Sequence, residues 1–262
     1  MAGTVQFLKT NLNQTTANTI FSSLAVNNLE SANGGGDGDT LEQIRQNTLS
    51  NYSTQLRTVT QDDYLIRALS MSPQYGMIAK AYIEPTKLEN VQVGEIPSTL
   101  DLYVLTYNVN KNLNISSNTL KQNLSTYLSQ YRIIGDSIKI KDAFIINIGV
   151  NFDIIVLPNY NSNQVLANCI AALQTYFNIN NWQINQPIIL RDIYILLDKI
   201  EGVQTVKTVT ISNLVGENLG YSPYAYDIKG ATQANVVYPS LDPSIFEVKY
   251  PNQDIQGRVV PL

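Results

Sequence analysis

The longest apolar-looking run in the chain, Phe144 to Leu157, is interrupted by Asn147, Asn151 and Asp153. A bilayer-crossing helix needs about 18 or more predominantly apolar residues, and no stretch approaches that. The run instead reads as strand, and Ser137 to Leu157 holds two strand-like runs around the polar region Lys139-Ile-Lys-Asp142. Its neighbours show a clear pattern. Leu100 to Tyr107 is β-branched and aromatic, as strands are. Leu120, Leu124, Tyr127, Leu128 and Tyr131 recur at helical spacing within Asn118 to Tyr131. After the turn Pro158 to Ser162, a helix carries Val165, Leu166, Cys169, Ile170, Leu173 and Phe177. A loop around Asn178 to Pro187 leads to a helix with Ile189, Ile193, Leu196, Leu197 and Ile200, ended by Glu201-Gly202. Val203 to Ser212 then alternates as a strand. This order predicts an α+β fold, with helices on one face of a small mixed sheet.

Four regions follow from the chain's punctuation. Residues 1–39 carry a short helical pattern (Ile20, Phe21, Leu24, Ala25, Leu29) and the break Asn33-Gly-Gly-Gly-Asp-Gly-Asp39. No Lys-Ser/Thr follows that break, and its oxygens lack calcium-loop spacing, so it reads as a connector. The N-terminus has no basic region followed by an apolar one and is not a signal peptide. Residues 40–99 open on Thr40 with Gln43 at capping-box spacing and a helix through Leu41, Ile44, Thr48, Leu49 and Tyr52. Thr60 caps a second helix with Asp62 and Asp63 in its first turn, ending before Ser72-Pro73, and Met77 to Ile83 alternates as a strand. Residues 100–212 form the α+β module. Residues 213–262 are rich in Tyr and Pro, which denies long helices and central strands. The aromatic content needs a surface: the tract either wraps its own domain or, as is expected, lies as an extended C-terminal arm across a neighbouring subunit, so that deleting 214–262 would leave a folded module.

The chemistry available is narrow. The 262 residues include no histidine and one cysteine, which removes Ser-His-Asp and Cys-His nucleophile systems, His-containing metal sites and intrachain disulfides. A net charge of −4 argues against nucleic-acid binding. Asp62 and Asp63 diverge on a helix start, Cys169 lies on an apolar helix face, and Trp182 reads as a core plug. Asp136, Asp142 and Asp153 lie in or near strands without ligand spacing. Gly216 to Gly220 is a loop. No catalytic residue, metal ligand or cofactor is expected. Charged residues are only 15%, and 29 Asn and 18 Gln fill the deficit. AT-rich coding accounts for much of the Asn surplus. Sixteen Tyr against six Phe, with few charges, also suits surfaces buried against other subunits. Residues alone therefore lead to a non-enzymatic assembly or binding protein.

Several stretches resemble the baseplate wedge protein of contractile-tailed bacteriophages, in the baseplate J-like family. Arg57, Val59, Thr60, Asp63 and Tyr64 match its Arg-x-Val-Thr-x-x-Asp-Tyr motif, after a Gly-rich break and a helix. Leu128-Ser-Gln-Tyr-Arg-Ile-Ile-Gly-Asp136 leads into paired strands, and Ile200-Glu-Gly-Val-Gln-Thr-Val206 is similar to the family's turn into its last strand. The tracts Tyr221 to Ile228 and Tyr238 to Asn252 look like the end of the phage wedge subunit. The likeness covers about residues 33–262. Family members are usually longer before the Gly-rich break, so this chain is expected to be a compact version or a C-terminal portion.

The resemblance implies a structural subunit located in the virion tail baseplate and assembled in the host cytoplasm. Such proteins pair as dimers, and six wedges close a ring around the tail hub that takes part in triggering sheath contraction. The implied partners are the chain itself and other wedge, hub or sheath-initiator proteins, with no nucleic acid and no membrane insertion. Tyr221, Tyr224, Tyr226, Tyr238, Phe246 and Tyr250 are the expected interface residues. A tail-fibre-associated or receptor-binding virion protein is the alternative, and a pocket around Asp136, Asp153 or Asp192 would revive an enzyme. Without histidine the usual near-neutral switch is missing. A pH titration of the isolated protein followed by circular dichroism is therefore expected to show no conformational midpoint between about pH 6 and 7.

Overall fold

A computed structural model describes residues 57–86, 100–133 and 135–261, with Thr15, Leu41, Arg45 and Thr48. The expected helix at residues 20–29 and the connector at 33–39 lie outside the described residues, as does most of the expected helix at 40–56. The residues treated below belong to one compact unit, Asn33–Leu262.

Helix α1, Gln61–Leu69, begins where expected because Thr60 and Asp63 cap it reciprocally. The Asp63 N–H donates to Thr60 Oγ1 (3.2 Å), and the Thr60 N–H donates to the Asp63 carboxylate (2.8 Å). Strand β1 covers Lys80–Pro85, later than the predicted Met77 start. Gly76, at φ +115°, is packed so closely on Leu120 that a Cβ would lie 2.6 Å from its Cδ1, and the chain becomes extended only after this corner. β2 (Leu100–Tyr107) is central, antiparallel to β1 and to the short β3 (Leu113–Asn114). Helix α2, Asn118–Ser129, is capped by Ser117 and returns the chain to β4 (Ile138–Asp142), which runs parallel to β2. Tyr64, Ala68, Leu102, Val104, Leu124 and Leu128 fill the core between these helices and one face of the sheet. Tyr103 and Leu105, alternating on β2, face the second core.

Ala143 alone separates β4 from β5, Phe144–Val156, the predicted long strand. Helix α3, Ser162–Tyr176, starts at Asn161, whose side chain accepts the N–H groups of Asn163 and Gln164. A two-residue strand β6 (Ile188–Ile189) leads into α4, Leu190–Asp198. β7, Val203–Asn213, then pairs antiparallel with Ile148 to Val156 of β5, with irregularities beside Asp153/Ile154 and Ile155/Val156. α3 and α4 pack on this sheet and on each other, and the fold class is α+β as expected. Cys169 is fully buried in this core, and burial pushes its thiol up to about 11. Trp182 is buried, stacks on Phe177 (centroids 5.6 Å apart) and donates from Nε1 to the Tyr176 carbonyl (3.0 Å).

The Tyr/Pro-rich tract is extended, but over 226–259 it wraps its own domain instead of lying off it as the expected arm, because its apolar side chains and two of its strands are taken up by β5 and the main core. β8 (Thr232–Gln233) and β9 (Val236–Val237) form a small sheet with β6. β10 (Ser244–Glu247) and β11 (Ile255–Val259) both pair parallel with β5, at Phe144–Asn147 and Val150–Ile154. Proline density argued against strands here, yet the prolines fall between them. Pro243 precedes β10, Pro251 opens a helical turn and Pro261 follows β11, so no proline is asked to donate to the ladder. Ile228, Val237, Ile245, Phe246, Val248 and Ile255 are part of the main core. Deleting 214–262 would strip these side chains and two strands from β5. The truncated protein is expected to lose cooperative unfolding, measured by chemical denaturation; a folded remainder would contradict this packing.

Candidate assembly surface and its buried support

The six expected interface residues do not form one exposed patch. Phe246 is 2% exposed, because β10 carries it into the core, and its ring lies 6.1 Å from that of Tyr226. It is thus a packing residue of its own chain. Tyr221, Tyr226 and Tyr250 are half-buried. The Tyr221 hydroxyl donates to Asp254 (2.6 Å), and burial, then this bond, pushes its phenol up to about 12. Asp254 also accepts the Tyr250 N–H (2.7 Å), and the Tyr221 and Tyr250 rings meet edge to face. The Tyr226 hydroxyl donates to the Tyr238 carbonyl (2.7 Å). Only Tyr224 and Tyr238 are exposed, at 38% and 48%. Tyr224 keeps its edge against Phe144. Sequence reasoning missed Leu219, 69% exposed on the turn between Gly216 and Gly220, and Val215 beside it. Nothing in their sequence context marks them as exposed.

The loop bearing these side chains is held by a buried polar chain. The Ser222 N–H donates to Asn147 Oδ1 (2.7 Å), Asn147 Nδ2 donates to Glu247 Oε2 (2.8 Å), and Glu247 Oε1 accepts the Leu113 N–H (2.6 Å). Asn147 and Glu247 are 1% and 2% exposed. Burial raises the Glu247 carboxyl above its ordinary value, against the opposing pull of the Leu113 and Asn147 donors and of Lys249. A cleft of about 600 Å³ opens nearby, lined by Asn110, Asn112, Gln174, Asn178, Asn180 and Asn252 among others.

The motif stretches that carry the family resemblance meet elsewhere. The Thr58 N–H and Oγ1 both donate to the Tyr131 carbonyl (3.0 Å each), and the Tyr64 hydroxyl donates to Asp136 (2.6 Å). The buried Arg67 guanidinium lies over the Tyr131 ring, 4.6 Å from its centroid. Val59 and Ile133 stay exposed beside this joint. Asp136 is thus engaged by a tyrosine, Asp142 by Lys121, and Asp153 by Arg258 (2.5 Å) on an open sheet face. Asp192 sits in the first turn of α4. These carboxylates stand on separate elements. Among the described residues no group of three or more Cys, Asp or Glu is placed to hold a metal, and no helix is long and apolar enough to cross a membrane.

Replacing Glu247 by Gln would set a donor against one of the two N–H groups, as the protonated carboxyl of the wild type also does, so the two are expected to be close in stability below about pH 4.5. A carboxyl raised in the folded state contributes stability that is full below its unfolded value near 4.5 and is lost as the pH rises through the folded value. As pH rises from about 4.5 the ionising wild type is therefore expected to lose stability relative to Glu247→Gln. Urea denaturation across a pH series checks this, and a wild type that gains on the variant as pH rises would contradict it.

No protein-family model matches the chain, and no curated protein sequence matches it. Among solved structures, it is similar to a chain in the six-fold symmetrised cryo-EM structure of the anti-feeding prophage baseplate, with a TM-score of 0.46 and 14% identity. The match covers 85% of this chain and 42% of that one, so this chain spans less than half the length of the other.

Proposed function

We propose that the chain is a structural subunit of the baseplate wedge of a contractile phage tail, pairing as dimers that build the ring around the hub and taking part in triggering sheath contraction. The observation that carries this reading is the joint between two motif stretches. Thr58 and Tyr64 belong to the Arg-x-Val-Thr-x-x-Asp-Tyr stretch, and Tyr131 and Asp136 belong to the second. They lie 73 and 72 residues apart in the chain, yet each motif residue spends its polar group on the other stretch. Motifs that matched by chance would have no reason to complete one another. Here Thr58 is fully buried and Tyr64 is 1% exposed, so the matched residues serve a fixed internal joint.

A ring of paired subunits needs a self-complementary contact and a second contact of another kind. The exposed apolar side chains Leu219, Tyr224 and Tyr238 are suited to contacts of the second kind. The role assigned is mechanical, with no catalysis. Imaging intact tail particles, or the full chain co-expressed with the products of its neighbouring genes, tests it. The expected result is density for this fold around the hub in two copies per wedge. Density at fibre tips, or none in the tail, overturns the reading.

A further inference from the structure

An antiparallel or parallel sheet leaves unpaired backbone at its edges, and proteins guard those edges against pairing. The strands here are guarded unequally. β1 ends in Pro85 and carries Lys80 and Glu84, and β4 carries Lys139 and Lys141. β7 is guarded twice. Its register slips past Lys207, a bulge that re-aims the strand. Side chains of α4 also cap its backbone: the Val206 N–H donates to Asp198 (3.3 Å) and the Val209 N–H to the Tyr194 hydroxyl (3.0 Å).

Among the described residues β11 has no bulge and no side chain capping its outer backbone, and its nearest proline, Pro261, lies beyond the strand. It lies at the end of its sheet, with β5 as its strand partner. The Val260 N–H donates to the Ile154 carbonyl (2.9 Å), and the alternation of a parallel ladder then directs the backbone groups of Gly257 and Val259 away from β5. Its one charge, Arg258, is drawn onto the sheet face by Asp153. The helix packed on β11 is equally unusual. α3 has no charged residue in 15, and its exposed positions include Gln164, Ala167, Asn168, Ala171 and Thr175. At the chain's own 15% charged residues, a helix of this length would carry about two charges.

We propose that β11 is a docking edge for β11 of a second copy, paired antiparallel about Gly257, with the two α3 helices meeting across the two-fold axis. The partner is a second copy because the edge is self-complementary. Centring on Gly257 sets each Gln256 opposite the other chain's Arg258, and Ile255 opposite Val259, so no like charges face each other. The same centring makes Ile255, Gly257 and Val259, whose backbone groups point outward, the hydrogen-bonding residues of the new ladder. This names the self-complementary contact required by the proposed ring, and rests on that reading for the biological use of the dimer alone.

Two variants test it in the full chain. Val259→Pro removes an outward N–H that the subunit's own ladder does not use, and Ala171→Glu places a charge on the outer face of α3. Gly257 is left alone, since a Cβ there would lie 2.2 Å from the Phe152 ring. Sedimentation equilibrium is expected to show a wild-type dimer, with Val259→Pro weakening it about tenfold to hundredfold through the two lost bonds. Ala171→Glu is expected to weaken it too. Hydrogen exchange of wild type is expected to show the Gly257 and Val259 amides slowing as concentration rises. A monomeric wild type, a dimer indifferent to Val259→Pro with both amides exchanging at a concentration-independent rate, or one weakened by Ala171→Glu alone overturns the strand pairing. A subunit seen in tail particles but not paired through β11 overturns this inference and leaves the baseplate reading standing. A β11 dimer absent from tails does the reverse.

Discussion

The side chain of Asn147 fastens the C-terminal fifth of the protein to its central strand. Its amide can be oriented only one way. Oδ1 faces the Ser222 N–H and Nδ2 faces Glu247, and reversing it would set donor against donor and acceptor against acceptor. Its backbone carbonyl accepts from the Leu214 N–H and from Asn213 Nδ2, both at 2.9 Å. Both ends of the loop from Asn213 to Ser222 are therefore tied to one residue of β5. Asn147 and Glu247 are buried, so each partner lost to them leaves a desolvated donor or acceptor costing about 1–3 kcal/mol. That penalty makes the arrangement specific, since a misplaced tract could not satisfy the same atoms.

The elements from Leu100 to Asn213 were legible in the sequence because each is long enough to show its period. Leu120, Leu124 and Leu128 mark one helical face, and the long strand and β7 alternate over many residues. The two-residue strands β3, β6, β8 and β9 have no period to read, and their pairing is decided by what lies beside them. β10 and β11 were hidden for a different reason. Each joins β5 across about 100 residues of chain, and no local pattern encodes so distant a partner. Their boundaries were visible all the same. Ser244-Ile-Phe-Glu-Val248 lies between Pro243 and Pro251, and its Ile, Phe and Val suit a short strand.

The candidate surface was legible only as a composition. Tyrosine content pointed to the tract 213–262, yet Tyr221 and Tyr226 spend their hydroxyls on Asp254 and the Tyr238 carbonyl. A tyrosine with an internal acceptor and one that faces outward look alike in sequence. The capping box at Thr60 and Asp63 was readable because it is local, whereas the bond from Tyr64 to Asp136 needs the fold to bring its partner near.

The three polar interruptions of the central apolar run have two separate meanings. Asn147, Asn151 and Asp153 share one face of β5 with Ile145 and Gly149, since side chains alternate along a strand. The opposite face, with Ile146, Ile148, Val150, Phe152 and Ile154, is buried in the core along with Val165, Cys169 and Leu173 of α3. The first face is covered only in part. The C-terminal loop lies over Asn147, and Ser212, Leu214 and the Asp254 carbonyl close on Gly149 so tightly that a Cβ there would meet them at 3.2–3.4 Å. Beyond Gly149 that cover stops, and Asn151 and Asp153 lie with Thr208, Thr210, Gln256 and Arg258 on an open polar face. Asn147 is polar to bind the cover, and the other two are polar because there is none. The cover ends where β11 begins to pair, so the turn at Pro251–Asp254 both closes the buried half of the strand and sets β11 beside its open half.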